Sequence, residues 1–342
     1  MKSKKTYIEV IRIIAIFFVL YVHTGTCAVT HYEMPCDRLS GMLAFGMMCL
    51  SQTCNALFFM IAGVVLLHKH ESVGRVVVRF FKMATVVLLF SLLQYACNYF
   101  RMPAMGFRLN EFFEIAYHDY VITQYWFLYE YLAFILLLPF LRILAEKMDK
   151  DHMVYLLALY LLMEGMLPLA EYFWKYERFG VVTPFVENII FYPLLGYLVE
   201  YHPEDIFAKK KSLVAINISG CVALMINMAF ARRQFLDTGY AETIIGMTML
   251  AALAVFVDIR FACKACKMPR RLEKMVVWCG AGVFGVCLLE PQLRDGFFFL
   301  YRWLEPTIKW LPATAIWLGA AMAAGITIMN ILKRIPVLKR LF

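Results

Sequence analysis

Apolar runs of about 20 residues recur from one end of the chain to the other, separated by short polar segments. Ten stand out, at 7–29, 43–67, 77–98, 125–144, 153–173, 185–200, 212–231, 241–257, 275–293 and 311–332. A helix rising about 1.5 Å per residue needs runs of this length to cross a bilayer interior about 30 Å thick. The pattern predicts an all-α polytopic membrane protein of about ten transmembrane helices, in a single membrane domain covering residues 1–342. The first run is too long for the apolar part of a cleavable leader, and no small-residue cleavage site follows it, so it reads as a retained helix. The longest outer connection, from about Tyr99 to Gln124, contains an amphipathic stretch at 110–120 that reads as lying along the interface. The ninth run reads as interrupted, because Pro291 follows Glu290 and removes a rung of the helical ladder.

Composition agrees with this class: 62% hydrophobic and 17% charged residues, where soluble domains hold about a quarter charged. The net charge of +9 raises the question of a nucleic-acid partner, and its distribution answers it. With the N-terminus in the cytoplasm, 23 of the 34 Lys and Arg fall in inner segments, 10 in outer segments, and Arg12 lies within the first span. That asymmetry is positive-inside bias. It predicts both termini in the cytoplasm and leaves nothing for nucleic acid to explain.

Two residues in the first span call for a reason. Arg12 and His23 are expensive in a bilayer. Their separation of eleven positions is about three helical turns, so both lie on one face, roughly 16 Å apart along the axis. Glu9, three positions before Arg12, shares that face. The stripe places an acid and a base near the inner surface and an imidazole deep in the membrane. Arg12 could instead snorkel to the interface beside Glu9, and His23 could hydrogen-bond a neighbouring carbonyl. Glu130 and Glu290 are further ionisable residues within spans, suited to acceptor binding, proton handling or helix–helix contact. Trp126 and the tyrosines beside it read as an outer aromatic belt. Cys263 and Cys266 form a C-x-x-C pair in an inner loop that offers no further His or Cys to complete a zinc site, so no metal is expected. Cys27 and Cys36, near the first outer loop, are close enough in sequence to pair.

An ordered set of segments resembles the acyltransferase-3 family of integral membrane acyltransferases. Glu9, Arg12 and His23 match the family's acid, its base three residues on, and its His eleven residues after that. Leu57–Gly63 resembles its FFxxSG segment, Arg79–Lys82 its R-x-x-R stretch, and 125–140 its WFL…LLP helix. Phe191–Tyr197 resembles its F-x-x-GY segment, 284–291 occupies the place of its FGIYLIHP segment, and 331–336 resembles its C-terminal end. Two positions depart: Ala62 stands where the family has Ser, and Glu290 where it often has His.

The resemblance implies transfer of an acyl group, usually acetyl, from cytoplasmic acyl-CoA to a hydroxyl of an extracytoplasmic glycan or lipid-linked sugar. It also implies a multi-pass protein of a bacterial plasma membrane, surrounded by lipid. Arg75, Arg79 and Lys82 then form a basic patch suited to CoA phosphates, and Arg12 holds a phosphate or the pantetheine arm while Glu9 holds Arg12. His23 is the general base, with Glu290 and Glu130 as further polar groups. Two other readings stay open on the sequence: a transporter or flippase for a polysaccharide or small solute, which uses intramembrane charges equally well, and a sensor or partner subunit without catalysis.

Overall fold

In the computed structural model the described residues are 6–24, 38–101, 108–175, 187–202, 207, 209–238, 242–266 and 268–335. Cys27 and Cys36 lie outside them. The described residues are helical and contain no strand. Helix α1 (Thr6–Val22) is followed by α2 (Arg38–Ser51) and α3 (Cys54–Leu66), which together occupy the second apolar run. Next come α4 (Val73–Arg101), the short α5 (Leu109–His118) and α6 (Trp126–Lys147). Helices α7 (Lys150–Leu161) and α8 (Leu167–Trp174) are joined by a π-helical turn at Leu162–Met166. The remainder are α9 (Asn188–Tyr201), α10 (Lys210–Thr238), α11 (Ile245–Ala265), α12 (Arg270–Gly296), α13 (Phe298–Ile308) and α14 (Trp310–Leu332).

Among the described residues, eight stretches are long and apolar enough to cross a membrane: Leu39–Leu66, Val73–Phe100, Thr123–Lys147, Lys150–Trp174, Lys210–Asp237, Ile245–Ala265, Arg270–Gly296 and Trp310–Leu332. The other two expected spans are shorter helices, α1 at 17 residues and α9 at 14. Helix α1 stops well before residue 29. Thr24 ends it by turning both its N–H and its Oγ1 back onto the Tyr21 carbonyl, at 3.0 and 2.6 Å. The expected span at 43–67 is broken at Gln52–Thr53, where Thr53 Oγ1 donates to the Leu50 carbonyl at 2.7 Å. Most of the 110–120 stretch forms a helix, α5, which ends at His118, buries Phe112 and exposes Phe113 and Tyr117. Pro291 does not interrupt α12, which runs through it. The Leu288 carbonyl beside the missing rung accepts from Tyr125 Oη at 2.6 Å and Gln94 Nε2 at 3.0 Å, so side chains of α4 and of the turn that leads into α6 brace the proline turn.

Helix α1 sits at the centre, packed against α2, α3, α11, α12 and α14. One core joins Ile11, Phe59, Phe134, Phe191 and Phe256 of α1, α3, α6, α9 and α11. A second joins Ile16, Leu20, Val286, Trp317 and Leu318 of α1, α12 and α14. Small residues let helices touch backbone to backbone. A Cβ on Gly63 of α3 would meet the Pro193 carbonyl oxygen at 1.9 Å, and one on Gly196 of α9 would meet the Met60 carbonyl oxygen at 2.1 Å. Arg260 and Lys264 of α11 both reach Glu200 of α9, at 2.6 and 3.3 Å.

Both ends of the described chain lie on one side. Thr6 Oγ1 donates to Glu273 Oε1 at the start of α12, and Asn330 Nδ2, near the end of α14, donates to the Trp278 carbonyl about one and a half turns further along α12. This side also carries Arg75, Arg79, Lys147, Lys150, Lys210, Lys264, Arg270 and Arg271, and is called the basic side below.

Candidate active site

Two groups of polar residues sit at the two ends of α1. On the basic side, Arg12 Nη1 donates to both oxygens of Glu9 at 3.0 Å. Glu9 is buried against Gly280 of α12, where any side chain would collide with it. Sequence spacing had placed this pair correctly. Arg79 lies in a second ion cluster: its Nη2 donates to Glu71 Oε1 and Oε2 at 2.7 and 2.8 Å. Arg142 of α6 joins it, donating from Nη2 to Glu71 Oε2 at 2.9 Å and from Nε to the Leu66 carbonyl at 3.1 Å. Lys69 adds a third cation within range of Glu71. Tyr131 of α6 has both Arg79 and Arg12 as electrostatic neighbours, so the two groups converge on it. The cluster of Lys69, Glu71, Arg79 and Arg142 keeps a positive excess after its one carboxylate is counted. Arg75 and Lys82 are exposed and share a face of α4 with Arg79 through their i, i+4, i+7 spacing.

Glu71 lies outside the spans. Its burial pushes the carboxyl up, but the hydrogen bond from Arg142 and the charges of Arg79, Arg142 and Lys69 prevail and hold it below the ordinary carboxylate range. Lys69 is shifted down by its own burial and by Arg79. Arg142 and Glu71 were missed as site residues, because Arg142 reads as one more positive-inside residue and the partnership joins a loop to a helix 71 positions away.

At the other end, His23 follows directly on α1, so the imidazole stands at the far end of the helix rather than deep within it. Glu290 of α12 faces it: His23 Nδ1 and Glu290 Oε2 are 3.4 Å apart, a contact longer than a formed hydrogen bond. The Glu290 side chain is 1% exposed and His23 21% exposed. Arg294, one turn on, reaches Glu290 Oε1 at 3.1 Å and donates to the His23 carbonyl at 2.8 Å.

His23 also lines a cavity of about 310 Å³. Its other walls come from Val19 and Val22 of α1, from the break between α2 and α3 and the first turns of α3 (Gln52, Cys54, Asn55, Phe58), from the turn into α6 and its first residues (Thr123, Gln124, Trp126, Phe127), and from Cys287 of α12. The broken helix thus brings amide side chains to the imidazole. Trp126, expected only as part of an aromatic belt, forms part of this wall. Glu130 is not among the lining residues; it lies one turn deeper on α6, with Oε2 buried and unpaired and Glu187 as its electrostatic neighbour. Cys263 and Cys266 are free thiols, and no group of three metal-binding side chains occurs among the described residues.

This arrangement can bind an anion at one end of α1 and remove a proton at the other. The family model described as an acyltransferase domain matches residues 5–332, nearly the whole chain. The chain belongs to this family. It is an enzyme that transfers acyl groups, and a multi-pass membrane protein. Comparison with curated proteins and with solved structures gave no match. In this acyltransferase, His23 and Glu290 face each other across the α1–α12 contact, while Arg12 and Arg79 share the basic side.

Proposed function

We propose that this acyltransferase moves an acyl group, acetyl in the first instance, from acyl-CoA to a hydroxyl of a neutral glycan or lipid-linked sugar, across a bacterial plasma membrane with the basic side in the cytoplasm. The observation that carries the reading is the cavity at His23. Its polar lining is amides, a threonine and an imidazole, with tryptophan and phenylalanine beside them. Such a wall suits a neutral, hydroxylated ring, whose polar edges take amide hydrogen bonds and whose faces take aromatic contact. The positive excess at Lys69, Arg79 and Arg142, with Arg12 nearby, suits the phosphates of a nucleotide donor.

The chemistry follows from the imidazole's two nitrogens. Glu290 favours the tautomer with hydrogen on Nδ1, leaving the Nε2 lone pair free. Nε2 takes the acceptor's hydroxyl proton as its oxygen attacks the thioester carbonyl. The C–S bond then breaks, the ester is released, and the imidazolium returns the proton to the departing thiolate. The roughly 16 Å between Arg12 and His23 along α1 lets a long donor be held by its anionic end on one side and react at the other.

The test is CoA release from radiolabelled acetyl-CoA by the protein in lipid nanodiscs, with and without envelope glycan. Release that depends on glycan and is lost in His23→Ala supports the reading, and a raised donor KM in Arg12→Ala assigns the donor end. Absence of release with any acyl-CoA in folded protein overturns it.

A further inference from the structure

A carboxylate as buried as Glu290 needs a counter-ion, and the structure supplies one that also holds the chain at His23. We propose that Arg294 is the positioning residue of this active site, fixing the His23 backbone and aiming the Glu290 carboxylate at the imidazole. The inference rests on the transferase reading and names what orients its base.

Arg294 lies four positions after Glu290, on the same face of α12. Its Nη1 makes two contacts at once, 3.1 Å to Glu290 Oε1 and 2.8 Å to the His23 carbonyl oxygen. Because α1 ends at Val22, the His23 carbonyl has no acceptor role within the helix, and the guanidinium provides it with a donor. Arg294 is itself anchored: its carbonyl accepts from Trp317 Nε1 of α14 at 2.9 Å. With Oε1 in ion-pair contact with Arg294 at 3.1 Å, Oε2 is the oxygen left facing His23 Nδ1 at 3.4 Å, and neither oxygen makes a formed hydrogen bond. A neutral histidine at position 290 would need no such partner. A buried carboxylate without one would be strongly destabilising. Glu290 and Arg294 therefore act as a unit, and together occupy the place of a single imidazole.

Few other charges bear on His23 among the described residues. From α12 these are Glu290, Arg294 and Asp295, which itself sits 3.4 Å from Arg294 Nε. The cavity residues of α2, α3 and α6 are neutral, and α14 contributes Trp317.

The experiment measures kcat and KM for acyl transfer across the titration range of histidine in wild type, Arg294→Met, Arg294→Lys, Glu290→Gln and the Met/Gln double variant. Arg294→Met should lower kcat about 10- to 100-fold, the scale for losing a group that orients a reacting side chain, with donor KM little changed. Arg294→Lys should recover part of the loss. Removing the cation should move the acid limb of kcat/KM to higher pH, and Glu290→Gln, which removes the anion, should move it to lower pH. The double variant should fall little below Glu290→Gln alone, because Arg294 acts through Glu290. Wild-type kcat and an unmoved acid limb in Arg294→Met, or additive losses in the double variant, would overturn the proposal. Nitrogen-15 NMR of labelled histidine gives a readout independent of turnover. One fixed tautomer at His23 in wild type, mixed in Arg294→Met, supports the positioning role even if no acyl transfer is seen; the same tautomer mixture in both proteins refutes it.

Discussion

Gly280→Ala is a small change with a consequence that can be worked from the structure. The added Cβ would lie 2.1 Å from Glu9 Oε2 and 2.8 Å from Glu9 Cβ. The carboxylate end could rotate, but the Cβ contact involves the stem of a buried side chain, so either α1 and α12 separate or Glu9 leaves Arg12. Overpacking of this kind costs about 1–3 kcal/mol. Loss of a hydrogen-bonded charge partner costs about 1.5–3 kcal/mol. Because the Arg12 side chain is 31% exposed, the lower end applies. If Arg12 holds the donor, about 1.4 kcal/mol is a tenfold rise in donor KM. Gly319→Ala on α14 meets nothing within 4 Å and serves as the control, with unchanged kinetics. The assay is CoA release against acyl-CoA concentration in nanodiscs, with thermal unfolding in parallel. Wild-type donor KM and melting in Gly280→Ala would refute the argument that the α1–α12 contact pins the Glu9–Arg12 pair for donor binding.

Other expectations concern the two ends separately. His23→Gln, which keeps an amide's polarity but no base, should reduce turnover about 10²- to 10⁴-fold, measured as labelled product. Cys287→Phe should fill the cavity and remove glycan-dependent CoA release while leaving donor binding intact, as read by direct acyl-CoA titration. Arg142→Met should raise donor KM more than Arg75→Met, since Arg142 is tied into the Glu71 cluster and Arg75 is exposed. Glu71, held below the ordinary carboxylate range, contributes stability that is present above its unfolded pKa and lost as pH falls through the lower folded value. Thermal unfolding followed downward from neutral pH should therefore show a loss in wild type below about pH 4.5 that is smaller in Glu71→Gln; identical profiles would remove Glu71 from the account.

What the sequence disclosed was what periodicity and short spacing encode. Long apolar runs marked the membrane helices, and a separation of three residues marked Glu9 and Arg12 as partners. The meeting of His23 with Glu290 was out of reach, because it depends on the parallel packing of the first and twelfth helices. The break in the second run did leave a trace: Ser51, Gln52, Thr53 and Asn55 put four polar residues in five positions, and hydropathy averaged over a whole span conceals such a cluster. Pro291 misled in the other direction, because a missing hydrogen bond was read as a broken helix when side chains from two neighbours stabilise the turn. Trp126 was legible only as an aromatic at the end of a span, and only the third dimension distinguishes a belt from a cavity wall.

The glycine contacts between α3 and α9 carry a mechanical consequence. Gly63 abuts the carbonyl of Pro193, and Gly196 that of Met60, so each helix is locked by the other in both directions. A slip of one residue would drive a side chain into a carbonyl oxygen. The pair therefore works as a stator. It holds Cys54 and Asn55, at the mouth of α3, in constant register with the helices behind them. Rocking carriers slide one bundle over another to expose a site alternately to each side. A scaffold clamped at this seam instead favours a reaction chamber whose α3 wall keeps one register against the helices behind it.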